Sequence, residues 1–201
     1  MFDAALRRVI DPPLNAAGRG LNRIGVSADA VTVAGFFVGL AAVPALALQE
    51  YWLALALIVA NRLGDGLDGA VARAAGPTDL GGYLDIVLDF IFYSAVVFGV
   101  ALGRPDEAVF AAFLIFSFIG TGASFLAFAI IAAKRGVTTE ARGRKSIFYL
   151  GGLTEGAETI ACLVAICLFP AYFPWIAGVF GALCWITTAS RIGQAVVSFR
   201  D

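Results

Sequence analysis

The sequence predicts an all-α integral membrane protein, with six transmembrane helices preceded by a short amphipathic N-terminal surface helix. Three observations predict it. Hydrophobic residues make up 60% of the 201 positions and charged residues only 14%. The mean hydropathy is +0.88. Apolar stretches long enough to cross hydrocarbon recur six times, over about 30–49, 52–72, 81–103, 107–133, 147–169 and 174–195, each near or above the roughly 20 residues a spanning helix needs. That leaves little chain for anything else, so the expected organisation is an amphipathic cytoplasmic segment over 1–28 and a six-helix transmembrane domain over 29–201, with no internal repeat.

The first segment alternates Phe2, Leu6, Val9 and Ile10, then Leu14, Ala17 and Leu21, with arginines. Pro12 and Pro13 are expected to break it into two short helices lying on the cytoplasmic leaflet. It has no apolar core of signal-peptide type. Ser27 or Asp29 is suited to cap the first spanning helix. Short turns at Gln49–Tyr51, Arg104–Glu107 and Pro170–Pro174 force antiparallel neighbours. Longer connections, Ala74–Leu80 and Lys134–Ser146, lie on the opposite side. That side also receives Arg7, Arg8, Arg19, Arg23, Arg73, Lys134, Arg135, Arg142, Arg144, Lys145, Arg191 and Arg200, whereas the short turns receive only Arg104 and Arg62 lies within the second span. The asymmetry predicts a multi-pass protein of the inner or cytoplasmic membrane, with both termini and the active site cytoplasmic. Cys162, Cys167 and Cys184 fall in spans without metal-type spacing and read as packing residues.

Ionisable residues inside spans are costly and call for partners or a function. Asp65 and Asp68 are three apart near the cytoplasmic end of the second span, and Asp85 and Asp89 four apart near the start of the third. Each pair shares a helix face, and the short connection makes the two helices neighbours. Four converging carboxylates cannot all stay ionised without cations between them. Oxygen-only ligands in a chain without histidine favour magnesium, manganese or calcium over zinc or copper. Gly69 and Ala72 leave room beside that helix, Arg73 adds a fixed cation, and Gly81 and Gly82 open the start of the next helix toward an anion. Glycines also serve close helix packing.

The residues Asp65-x-x-Asp68-Gly69-x-x-Ala72-Arg73, then Gly81-x-x-x-Asp85-x-x-x-Asp89, resemble the signature of the CDP-alcohol phosphatidyltransferase family, integral membrane enzymes of phospholipid synthesis. One departure is visible: seven residues separate Arg73 from Gly81, where the usual family pattern has eight. The resemblance implies that Asp65, Asp68 and Asp85, with Asp89, hold one or two divalent ions, magnesium or manganese, two being the expected number. It implies Asp89 as the base that takes the acceptor proton. It places Thr32, Asp65, Gly69, Ala72, Arg73 and Gly81 at the CDP site; Thr32 belongs to a distant echo of the family's Pro-Asn-x-x-Thr stretch, with Ala28-Asp29 in place of Pro-Asn. The implied partners are CDP-diacylglycerol or a related CDP-alcohol, an alcohol acceptor, membrane lipids and a second copy in a homodimer, with no nucleic acid.

The acceptor is sought in the second half. Arg142 and Lys145, within a basic cluster with Lys134, Arg135 and Arg144, can bind an acceptor phosphate or serve only topology. Arg191 is a further acceptor candidate, through a likeness of Thr187, Thr188 and Arg191 to a late Thr/Arg feature of the family. Glu155 and Glu158 either pair with an arginine or recognise hydroxyls or an amine. The clusters point to different acceptors: glycerol phosphate or inositol phosphate, or another polyol or amino alcohol. The reaction expected is transfer of a phosphatidyl group to that alcohol with release of CMP. Its alternative is transfer of a CDP-linked small alcohol phosphate to diacylglycerol or another lipid. From other classes, a cation or proton transporter would place carboxylates near the midplane, and a scaffold would explain Phe90, Phe92, Phe110, Phe113 and Phe116 as lipid-facing or dimer surface but leave the aspartates without a role.

Overall fold

The computed structural model describes residues 3–136 and 152–200, with side chains from Pro12 onward. Helices and their turns make up the described residues, among which there is no strand. Helix α1 spans Asp3–Arg23 and runs through Pro12 and Pro13 as one element, where two helices were expected. A proline's fixed φ is itself helical, and both prolines are exposed. The C-terminal half of α1 is held by packing: a Cβ at Gly18 would lie 2.7 Å from the Ala70 carbonyl carbon of the helix it crosses. Gly25, with φ +82°, turns the chain out of α1, and Ser27 accepts the Ala30 amide at 3.2 Å to start the next helix.

The first apolar stretch forms two helices, α2 over Ala28–Leu40 and α3 over Ala42–Ala47, broken at Ala41. Pro44 is the cause, since it has no amide for the Leu40 carbonyl. Helix α4 covers Tyr51–Ala75 and α5 Asp79–Gly103, joined by a short link in which Gly76 takes φ +102° and Thr78 caps α5 by accepting the Gly81 amide at 3.0 Å. A 3-10 turn, Pro105–Glu107, with Arg104 bound to Glu107 at 2.5 Å, leads into α6 over Ala108–Lys134. Helix α7 covers Gly156–Leu168, and a second 3-10 turn, Pro170–Tyr172, leads into α8 over Phe173–Phe199.

Among the described residues four segments are long and apolar enough to cross a membrane: Ala28–Ala47, Asp79–Gly103, Pro105–Lys134 and Pro170–Phe199. Two of the six expected spans differ. Helix α4 has the length, at 25 residues, but Arg62, Asp65, Asp68 and Arg73 interrupt its apolar character. Helix α7 has only 13 described residues, and the chain at 152–155 is not helical, so the stretch 147–169 is not one continuous helix.

Helix α4 is the axis of the assembly, with α1, α2, α3 and α7 packed on it, while α5 lies against α2, α3 and α6, and α6 against α8. Phe92, Phe173, Leu46, Ile58, Leu114, Leu163 and Ile166 are fully buried at their meeting point. Phe92 is therefore core rather than lipid-facing or dimer surface. Cys162, Cys167 and Cys184 are buried free thiols in the same core, as their apolar surroundings suggested. The outside is apolar too: Trp52, Val109 and Trp175 are each more than three-quarters exposed. So much exposed apolar surface suits a lipid solvent rather than water. The molecule is a multi-pass helical membrane protein.

Gly18 provides a test of the α1–α4 contact. Gly18→Ala should destabilise the protein by about 1–3 kcal/mol through overpacking against backbone that cannot yield. Gly20→Ala, with nothing within 4 Å of its new methyl, should be neutral or stabilising by up to about 1 kcal/mol. Melting of the two variants in detergent, followed by size-exclusion fluorescence, separates these outcomes.

Candidate functional site

Helical periodicity builds the site. Asn61, Asp65 and Asp68 fall at steps of four and three on α4, and Asp85, Asp89 and Tyr93 at steps of four on α5, so each set forms one stripe along its helix. The helices run antiparallel through the link at Gly76–Thr78, which sets Asp68 beside Asp85 and Arg62 beside Asp89. Helix α2 closes the third side. A small pocket is lined by Thr32, Gly35 and Phe36 of α2, Asn61, Arg62, Asp65 and Asp68 of α4, and Asp85, Leu88 and Asp89 of α5. Gly39 of α2 lets this wall approach, since a Cβ there would lie 2.8 Å from both Asn61 and Phe92.

Three of the four aspartates converge. One carboxylate oxygen from each of Asp65, Asp68 and Asp85 lies within 4.8 Å of the others. Asp68 is buried, and its Oδ2 has no hydrogen-bond partner. An orphaned buried carboxylate oxygen facing two further carboxylates is what a hard divalent cation would satisfy, and the set offers only oxygen. The residues present fit such an ion.

Asp89 lines the same pocket but is held differently. Its Oδ1 accepts Arg62 Nη2 at 2.7 Å and its Oδ2 accepts the Tyr93 hydroxyl at 2.8 Å. Arg62 is itself fixed: Nε and Nη2 donate to Asn61 Oδ1 at 2.8 and 2.5 Å, and Asn61 Nδ2 donates to the Gly35 carbonyl at 2.9 Å. Its guanidinium lies 5.0 Å from the Phe92 ring centre and 5.5 Å from that of Tyr93. Sequence reasoning treated Arg62 only as an exception to the charge asymmetry and passed over Asn61 and Tyr93. The signal available was an arginine in an apolar helix, one turn before Asp65.

The other candidates are more dispersed. Thr32 and Asp65 line the carboxylate pocket. Gly81 packs against the start of α2, where a Cβ would meet Asp29 Oδ1 at 3.1 Å. Arg73 turns to a second cleft between α1 and α4, donating to Asn15 Oδ1 from Nε at 3.1 Å and Nη2 at 2.9 Å. Gly69 makes room for it, since a Cβ there would lie 3.2 Å from Arg73 Nη1; Ala72 sits on the same helix. Glu155 is the N-cap of α7 and Glu158 lies in its first turn, where the two close a capping box, Glu158 accepting the Glu155 amide at 3.1 Å. Arg191 is buried on α8, donates to the Thr121 carbonyl at 2.9 Å and packs over Phe125. Nearby, the Thr154 and Thr187 hydroxyls bond at 3.0 Å. Arg142 and Lys145 lie outside the described residues.

A helical membrane protein with an oxygen-only cluster of this kind is equipped to bind phosphate esters through a divalent cation. Comparison with known proteins makes the class definite. The family model for CDP-alcohol phosphatidyltransferase matches residues 26–190, and the chain belongs to that family of enzymes, which use divalent metal in phospholipid synthesis. It is 49% identical to the Escherichia coli inner membrane protein YnjF, over all of this chain and 98% of that one. The archaetidylinositol phosphate synthase of Pyrococcus horikoshii is 34% identical over 49% of this chain and 53% of its own. In fold, the chain resembles Mycobacterium tuberculosis phosphatidylinositol phosphate synthase PgsA1 with CDP-DAG bound (TM-score 0.74, 19% identity, 91% of this chain and 93% of that one). It likewise resembles PgsA1 in complex with manganese and citrate (TM-score 0.73, 20% identity, 90% and 87%).

Asp68→Asn should remove the ligand oxygen most committed to the cation. Manganese affinity, followed by electron paramagnetic resonance, should fall by about 100-fold or more, since even outer-shell changes cost 10- to 100-fold; near-native affinity would place the ion elsewhere.

Proposed function

We propose that this protein transfers a phosphatidyl group from CDP-diacylglycerol to a phosphorylated polyol of the inositol phosphate kind, releasing CMP. The observation that carries the reading is the convergence of Asp65, Asp68 and Asp85 around the orphaned Asp68 oxygen. The archaeal relatives named for archaetidylinositol phosphate synthesis support the acceptor class. The use of Glu155 and Glu158 in a helix cap takes from the polyol or amino-alcohol reading the two side chains that favoured it, and leaves the phosphate of the acceptor as the group to be bound. Arg191, with Arg142 and Lys145, is our candidate for the acceptor phosphate.

Asp65, Asp68 and Asp85 would hold the ion. When bound, it offsets charge on the donor pyrophosphate and makes CMP a better leaving group. Thr32, Gly69, Ala72, Arg73 and Gly81 are assigned to the nucleotide side of the site, where Arg73 adds a cation. The acceptor hydroxyl oxygen bonds to the lipid-linked phosphorus as the bond from that phosphorus to the bridging oxygen breaks. CMP leaves with that oxygen, and Asp89 takes the hydroxyl proton. Positioning and fixed charges supply most of the rate. A transporter would set its carboxylates at the midplane, whereas Asp65 and Asp68 occupy the C-terminal half of α4 and Asp85 and Asp89 the N-terminal half of α5.

In the membrane, we assign α4 and α7 as the remaining two spans, with α1 on the cytoplasmic leaflet, both termini and the site cytoplasmic, and the protein a homodimer. Crosslinking in native membrane tests the dimer.

Purified protein with manganese should release CMP from CDP-diacylglycerol with inositol phosphate, and more slowly or not at all with inositol, glycerol phosphate, serine or choline. Radiolabelled lipid product scores the comparison; activity confined to an amino alcohol would overturn the acceptor. Asp89→Asn should lower kcat by at least about 100-fold, the scale of losing a general base, while donor binding stays measurable.

A further inference from the structure

We propose that Arg62 is a built-in cation of the catalytic centre that takes the place of a second divalent ion, so that each site loads one ion, through Asp65, Asp68 and Asp85. The inference rests on reading this centre as the metal site of the transferase.

Both oxygens of Asp89 are engaged, Oδ1 by Arg62 and Oδ2 by the Tyr93 hydroxyl. A second ion shared between the α4 and α5 carboxylates would need Asp89 as a ligand at about 2.0–2.2 Å. It would then sit where the guanidinium now bridges the helices, with Arg62 Nη2 2.7 Å from Asp89 and Nη1 3.6 Å from Asp65. Ion and guanidinium repel each other at such a distance, and one must leave.

Arg62 is not built to leave. Nε and Nη2 are held by Asn61, whose orientation is set by the Gly35 carbonyl. The guanidinium plane lies against two aromatic rings, and Nη1 reaches the Tyr93 oxygen at 3.3 Å. Moving it away would leave the Asn61 oxygen without its donor and the guanidinium without its carboxylate in a half-buried site. Asp65, Asp68 and Asp85 keep oxygens that approach one another within 4.8 Å, and that set does not include Asp89. An arginine cannot be lost by chelation or dilution, so Asp89 is positioned whether or not the ion is bound.

The test is a count of ions. Manganese titrated into the full chain in lipid nanodiscs and followed by electron paramagnetic resonance should show one ion per chain with an uncoupled spectrum. Arg62→Met, which keeps an apolar stem over the rings and removes the charge, should raise the count to two, with dipolar coupling between the ions. Arg62→Lys, which retains a cation, should remain at one. Should Arg62→Met fail to fold, Asp89→Asn decides the matter in the same titration: one ion is expected still, since Asp89 is not a ligand. Two coupled ions in the unsubstituted protein, a count unchanged in folded Arg62→Met, or loss of an ion in Asp89→Asn would each overturn the proposal. No ion at all in the unsubstituted protein would instead remove the reading of the centre on which it rests.

Discussion

The structure is organised around a charge problem. Asp65, Asp68, Asp85 and Asp89 sit on two helices that face each other across a pocket, in a protein whose exterior is apolar. On translocation scales an aspartate at the centre of a spanning helix costs about 2.5–3.5 kcal/mol, so four uncompensated carboxylates rival the whole folding margin of about 5–15 kcal/mol. The cost falls toward the membrane boundary without vanishing. The fold meets it with two cations of different kinds: Arg62, fixed in place by Asn61 and the rings of Phe92 and Tyr93, and the divalent ion of the family.

This division explains why the approach of α2 to α4 and α5 is so close. Gly39 brings α2 within reach of Asn61 and Phe92, and the Gly35 carbonyl fixes the Asn61 amide. Asn61 in turn fixes Arg62, and Arg62 fixes Asp89. A packing decision on one helix thus sets the direction of a carboxylate on another through a chain of direct contacts. Thr78 and Gly81 do comparable work at the start of α5, where a capped first turn lies against Asp29. Energetically each bond is modest, about 0.5–1.5 kcal/mol net; their value lies in excluding other orientations within a low-dielectric site.

What was legible in the sequence follows from this physics. The aspartates could be found because carboxylates are rare in apolar helices and because steps of three and four fix a common face. Their division into three and one could not, since it depends on the rotation of α5 about α4 and on which carboxylate the Arg62 side chain meets. The break at Ala41 was available in principle from Pro44, but apolar length dominated the reading of 30–49. Glu155 reads as part of the helix that holds Glu158, because the capping box here starts with glutamate rather than the usual serine or threonine. Pro12 and Pro13 misled in the opposite direction: exposed prolines cost a helix less than buried ones, and α1 is held by its contact with α4.

Arg62 and Arg73 show how position, rather than residue type, assigns a charge its task. Both arginines lie on α4, eleven residues apart, which at 100° per residue puts them near one face of the helix and about three turns apart. Arg73 lies in the last turn of α4 and binds Asn15 beside an open cleft. There it remains available to a passing anion. Arg62 lies three turns further from that end, where its side chain is only 17% exposed and Asn61, Tyr93 and Asp89 meet its donors. Its charge is met by Asp89, the carboxylate we propose as the base. Position along α4, eleven residues apart, separates an arginine beside an open cleft from one that fixes a carboxylate of the aspartate pocket.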